Sequence, residues 1–156
     1  MKIVFRVDAS LQIGTGHVIR CLVLAHALQE KGAEIDFICR RHEGNLINKI
    51  RAEGFNVFEL ASQFESKVDD KLSHSQWLGV TQQQDAKDCI NAFQSKKIDW
   101  LIVDHYSIDK DWQQVLKPFY EKLMVIDDLA DREHECDLLP DQNLFDDMPA
   151  RYHNKK

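Results

Sequence analysis

The 156-residue chain has no long basic run: 20 Lys and Arg are interspersed with 26 Asp and Glu, for a net charge of −6. A nucleic-acid surface needs a basic face to neutralise phosphates, so no nucleic-acid partner is expected. Long hydrophobic runs are missing too. The longest are of strand length, well short of the ~20 residues of a membrane helix, so no membrane insertion is expected. The N-terminus enters a strand at once, leaving no room for a signal peptide. Cysteine is sparse and dispersed, at Cys21, Cys39, Cys89 and Cys136. That spacing argues against a disulfide framework or a zinc site and fits reduced thiols in a cytoplasmic protein. Repeats and low-complexity tracts are absent, as are the G-x-S-x-G, Walker and kinase signatures. What remains is a chain with 44% hydrophobic residues, enough for one domain with a real core.

Short β-rich runs alternate with longer helical ones. Strands are expected at 2–8, 34–39, 56–60, 99–104 and 122–127, with a short sixth near 137–139. Helices fit 16–32, 43–54, 81–96 and 109–121. In the first helix Val18, Cys21, Leu22, Ala25 and Leu28 share one face at i, i+3, i+4, i+7 spacing. Gly32 and Gly54 stand where the first two helices should stop. Such alternation implies an α/β fold: a doubly wound, Rossmann-like parallel sheet with helices on both faces and strand order 3-2-1-4-5. In an open sheet of this kind the ligand crevice lies at the carboxyl ends of the strands, where the strand order reverses. Here the reversal falls between strands one and four, so "DASLQIGTGH" and "DHYS" should face each other. The long polar segment 61–85, carrying Trp77, Leu78 and Gly79, reads as a lid or substrate wall on the same edge.

Gly14-Thr15-Gly16 is part of a G-x-G-x-x-G pattern, but Ile19 occupies the third position. Strand two ends in Cys39-Arg40-Arg41 where a dinucleotide site wants an acid. A nicotinamide or flavin is therefore disfavoured and no cofactor is expected. The glycines still shape a tight turn that lets backbone approach a ligand, with free N–H groups at the helix start. His17 sits in the first helical turn, where the positive dipole end disfavours a charged imidazole and suits it to act as a general base. The alternative is a histidine that caps the helix or fills a gap. Arg20, one turn on, either holds an acidic substrate group or is solvated.

Arg6 in a central strand should reach an edge or pair with a carboxylate such as Asp8; with Arg40 and Arg41 it would form a basic rim for an anionic ligand. Asp104-His105-Tyr106 closes strand four. Asp104 is placed to orient a neighbouring histidine or bond a sugar hydroxyl, and Tyr106 to stack on or bond a ligand; ordinary turn chemistry is the alternative. Asp127-Asp128 closes strand five in the same way. His134 and Cys136 are two residues apart and do not make a metal site, so no metal is expected.

The segments "FRVDASLQIGTGHVIRCLVLA", "HSQWLGVTQQQDA", "LIVDHYSID" and "VIDDLADREHECDLLPDQN" span nearly the whole chain. In that order they resemble the N-terminal domain of the UDP-sugar hydrolases of pseudaminic acid biosynthesis, which in turn resemble two-domain, GT-B-type glycosyltransferases. The resemblance implies that residues 1–145 form a Rossmann-like domain carrying the catalytic base. Residues 146–156 would then begin a linker to a missing C-terminal domain that grips the uridine diphosphate. It implies that His17 activates water against a UDP-linked diacetamido-trideoxy sugar. Gly14, Thr15, Gly16, Arg20, Asp8, Asp104, His105 and Tyr106 would form the substrate-binding set. A GT-B glycosyltransferase acceptor domain and a non-catalytic sugar-binding or docking domain remain as alternatives.

Overall fold

Five parallel strands form the sheet in a computed structural model that describes residues 1–62, 71–93 and 97–155. They are β1 (Lys2–Val7), β2 (Glu34–Arg40), β3 (Asn56–Leu60), β4 (Ile98–Asp104) and β5 (Tyr120–Val125). Their order is β3-β2-β1-β4-β5, with every neighbouring pair parallel. The expected Rossmann-like order is therefore the observed one. The connecting helices are α1 (Gly16–Glu30), α2 (Ile47–Ala52), α3 (Gln82–Phe93) and α4 (Lys110–Leu116); a short α5 (Met148–Arg151) follows β5. Among the described residues no helix is long and apolar enough to cross a membrane.

Alternation along each strand feeds two cores, because successive side chains leave a sheet on opposite faces. Ile3, Phe5 and Val7 of β1 pack with Phe37, Val18, Cys21 and Leu22 beneath α1 and α2. Val4, Leu101 and Val103 pack on the other face with Ala86, Cys89, Trp112 and Leu116 of α3 and α4. Burying these residues removes the apolar stripe of every long helix from water, which is the main term holding such a layered fold together.

Boundaries shift where local chemistry overrides periodicity. The second helix, expected at 43–54, begins only at Ile47. Gly44 adopts φ 78°, outside helical space, and the Asn45 side chain accepts from the Ile47 N–H at 3.1 Å. The helix expected through 121 ends at Leu116, and a 3₁₀ turn at Lys117–Phe119 contains Pro118. Proline supplies no N–H and disfavours helical geometry at the residue before it. β5 consequently starts at Tyr120, two residues earlier than expected, and its pairing stops at Val125. The sixth strand reduces to one parallel bridge between Met124 and Leu138. Gly32 and Gly54 follow α1 and α2 at positive φ, as expected. Residues 94–96 of the third expected helix lie outside the described residues, as do residues 63–70 of the expected lid.

The basic rim is corrected outright. Arg6 and Arg40 are fully buried, and only Arg41 is exposed, where it pairs with Glu59. Arg6 does pair with Asp8, at 2.6 and 2.9 Å, and also with Asp85 at 2.7 and 3.1 Å. Arg40 adds 2.7 Å bonds to Asp85 and Asp88. A guanidinium taken out of water must be paired and bonded, and here Asp8, just past β1, and the carboxylates of α3 do so.

Candidate active site

Val7 of β1 pairs with Asp104 of β4, so the loops after these two strands leave the sheet side by side. The β1–α1 turn is wound by Ser10. Its hydroxyl oxygen accepts from the N–H groups of Gln12 at 3.2 Å and Ile13 at 3.0 Å, and its carbonyl accepts from Gly14 N–H at 2.8 Å. Gly14 sits at φ 78°, a left-handed conformation that side chains resist. The turn delivers Thr15 and Gly16 to the surface and His17 to the interior edge of the crevice.

His17 Nδ1 lies 2.5 Å from Asp104 Oδ1, and the side chain is 8% exposed. Arg20 grips the same carboxylate in a two-pronged pair, Nε to Oδ2 at 2.5 Å and Nη2 to Oδ1 at 2.6 Å. The Cys21 thiol also donates to it, at 3.6 Å. Arg20 Nη2 stands 3.2 Å from His17 Nδ1 as well, so a carboxylate and a guanidinium compete for one ring nitrogen. The carboxylate prevails: it is 0.7 Å nearer, it is anionic, and Nη2 already has its own bond to Asp104. Nδ1 therefore carries the proton and donates it. Among the described residues nothing bonds Nε2, which keeps its lone pair. Burial pushes the Asp104 carboxyl up, but the hydrogen bonds from Arg20 and His17 outweigh it and hold the group below the usual carboxylate range.

Tyr106 meets the imidazole edge to face, with centroids 4.5 Å apart at 81°. Its hydroxyl donates to Asp128 Oδ1 at 2.5 Å, and Asp128 Oδ2 lies 3.4 Å from Arg20 Nη1. Burial and that hydrogen bond push the phenol up to about 12, so it remains a donor. His17 is thus fixed at Nδ1 by Asp104 and on its flank by Tyr106.

The other expected site residues lie deeper. Asp8 is fully enclosed and accepts from Arg6, the Arg40 N–H at 2.7 Å, His42 at 3.3 Å and His105 at 3.0 Å. Burial pushes its carboxyl up, but Arg6 and the two histidines more than reverse this, holding it well below the usual range. His105 accepts from Ser107 N–H at Nδ1 (3.1 Å), so its Nε2–H donates to Asp8. Burial holds this imidazole down. Asp127 pairs with Arg132 at 2.9 Å. His17, Arg20, Asp104 and Tyr106 are therefore brought together around one centre. Gly14, Thr15 and Gly16 form the turn beside it, while Asp8 and His105 are buried and bonded to each other.

Sequence reasoning missed Asp85. It accepts from Arg6, Arg40 and, at 3.0 Å, the Trp112 indole. Its signal was available: it lies one turn before Cys89 on the same stripe as Ala86 and Phe93. A carboxylate on an apolar helical face demands a buried cation. Of the segment expected as a lid or wall, the described part packs inward at Leu78 and Val80. It also sets His74 and Trp77 against the site, with ring centroids 5.6 and 6.0 Å from Tyr106. Among the described residues, no three His, Cys, Asp or Glu side chains gather as metal ligands.

No protein-family model matches the chain. It is similar to the UDP-2,4-diacetamido-2,4,6-trideoxy-beta-L-altropyranose hydrolase of Campylobacter jejuni, with 32% identity over 146 residues. That match covers 93% of this chain but 43% of the hydrolase, in its N-terminal region. It is also similar to an uncharacterized protein of Methanocaldococcus jannaschii, 27% identical over 128 residues, covering 81% of this chain and 22% of that protein. The chain thus spans less than half the length of the curated relatives it matches.

Proposed function

We propose that this chain carries the general base of a hydrolase that splits a UDP-linked 2,4-diacetamido-2,4,6-trideoxy sugar into UDP and free sugar. One observation carries the reading: a buried histidine at the switch point, its side chain 8% exposed, donates Nδ1–H to a buried carboxylate, and among the described residues nothing bonds its Nε2. The likeness to the Campylobacter hydrolase supports the substrate class. In the reaction His17 Nε2 takes a proton from water as the water oxygen bonds to C1, on the face opposite the nucleotide. The C1–O bond breaks, and its electron pair leaves with UDP, a stable anion that needs no strong acid. The Asp104 carboxylate stabilises the imidazolium that forms, and Arg20 keeps that carboxylate ionised and in place. Tyr106 and Asp128 hold the ring plane. A second polypeptide region gripping the diphosphate completes the enzyme in this proposal; the matched region is 43% of the Campylobacter relative.

The test is turnover of the UDP-sugar in ¹⁸O-water by an enzyme containing this chain. The sugar C1 hydroxyl should carry the label with inverted configuration, and UDP should carry none. His17→Asn should lower kcat by roughly 10²–10⁴, the usual contribution of a positioned base, with UDP affinity unchanged. Label in UDP means attack at phosphorus and removes the role given to His17. UDP release that requires an added acceptor points instead to glycosyl transfer.

A further inference from the structure

The carboxyl edge of the sheet holds a cleft of about 200 Å³. Ser10 and Gln12 of the β1–α1 turn, His42 and Glu43 after β2, and Gln76 and Trp77 line it. We infer that this cleft binds a neutral acetamido-bearing hexose, with His42 and Ser10 on the acetamido group and Trp77 against the sugar ring. The inference rests on the UDP-sugar reading above and assigns the sugar, not the nucleotide, to these residues.

His42 is held from below. Its Nε2 lies 3.3 Å from Asp8 Oδ2, and Asp8 is itself fixed by Arg6 and by the Arg40 N–H. A ring that donates Nε2–H to a carboxylate presents Nδ1 as an acceptor, and among the described residues nothing bonds that nitrogen. Ser10 has the complementary capacity. Its oxygen already accepts two backbone N–H groups, so its own hydrogen is left to donate. An acetamido group offers one N–H and one carbonyl, which match this acceptor and donor pair.

The walls are rigid where they meet. Leu11 N–H donates to the Glu43 carbonyl at 3.0 Å, and a Cβ on Gly44 would lie 2.9 Å from the Leu11 side chain and 3.0 Å from its backbone nitrogen. Trp77 is braced by His74, with centroids 4.2 Å apart, and offers a large apolar surface beside the polar groups. Ligand sites of this kind combine aromatic area with a few fixed polar atoms. Charge argues against a phosphate here: among the described residues Glu43 makes no ion pair, and Arg6 and Arg40 are neutralised by buried carboxylates. Trp77 stands 6.0 Å from Tyr106, and Tyr106 stands 4.5 Å from His17, so a chain of ring contacts joins the wall of the cleft to the base.

The experiment is titration of the ¹⁵N-labelled chain with N-acetylglucosamine, glucose and UDP, read at the Trp77 indole and the His42 ring. N-acetylglucosamine should shift both signals saturably, with glucose weaker by roughly fivefold or more, since it lacks both acetamido hydrogen bonds. UDP should move neither. His42→Ala should weaken the N-acetyl sugar by a similar factor. Should that variant misfold, Trp77→Ala, which leaves the Asp8 network intact, should abolish saturation. Equal binding of glucose and N-acetylglucosamine, stronger shifts with UDP, or no saturable shift overturns the inference. A lowered turnover in His17→Asn with silent cleft signals leaves the hydrolase reading standing and removes the sugar site. Saturable sugar binding with unchanged His17→Asn turnover does the reverse.

Discussion

Asp104→Asn separates a positioned base from a histidine that merely fits its surroundings. In the native chain three charge-assisted contacts of 2.5–2.6 Å converge on the Asp104 carboxylate, one from His17 and two from Arg20. A hydrogen bond to a charged partner contributes about 1.5–3 kcal/mol, so the carboxylate favours the Nδ1–H form of His17 by roughly 10- to 150-fold. An amide removes that preference. Arg20 Nη2, 3.2 Å from Nδ1, is then released to donate to that nitrogen, and the proton moves to Nε2. The atom that should accept from water now carries hydrogen. Turnover should fall roughly 10²–10³-fold with KM within about threefold, the signature of an interaction that matters only in the transition state. Stability should fall by only about 1–2 kcal/mol, because Arg20 is 18% exposed and water reaches its guanidinium. Long-range ¹H–¹⁵N correlation of the imidazole, recorded on the 156-residue chain, reads the protonated nitrogen directly. A native His17 protonated at Nε2 refutes the reasoning. So does a folded D104N enzyme that keeps its turnover.

Two further outcomes concern the framework. Asp85→Ala leaves the buried Arg6 and Arg40 without their shared carboxylate and should cost about 3–5 kcal/mol in urea unfolding. A loss below about 1 kcal/mol would show the network to be energetically idle. His134 is 3% exposed and accepts from the Gln113 amide at 2.8 Å; burial, with Arg132 nearby, pushes its imidazole down to about 4. The unfolded chain takes up this proton near 6.5 and the folded chain only near 4, so unfolding binds a proton between those values. The contribution is complete above the unfolded value and is lost as pH falls toward 4, roughly 3 kcal/mol in all. His134→Gln should flatten that part of the stability profile between pH 7 and pH 4; an unchanged slope assigns the effect to other groups.

How much of this was legible beforehand depends on the range of the interaction involved. Strands such as Lys2–Val7 and the stripe Val18, Cys21, Leu22, Ala25 follow from side-chain period, which is local. The strand order follows from handed crossovers, and it alone brings the Gly14–His17 turn against Asp104. The convergence of His17, Arg20, Asp104 and Tyr106 was therefore readable from the sequence.

Charge was read less well, because its sign says nothing about burial. Arg6 and Arg40 look like surface cations until Asp85, 79 and 45 positions away, is folded against them. Arg20 looks free to hold a ligand until β4 places Asp104 across it. The same holds for His42, whose value in the cleft depends on Asp8, 34 positions earlier, lying beneath it. Which residues are buried in strips is encoded within a few turns of chain; which charges neutralise one another, and so which atoms of His17 and His42 are left to meet a substrate, is decided only when distant segments are brought within about 3 Å of each other.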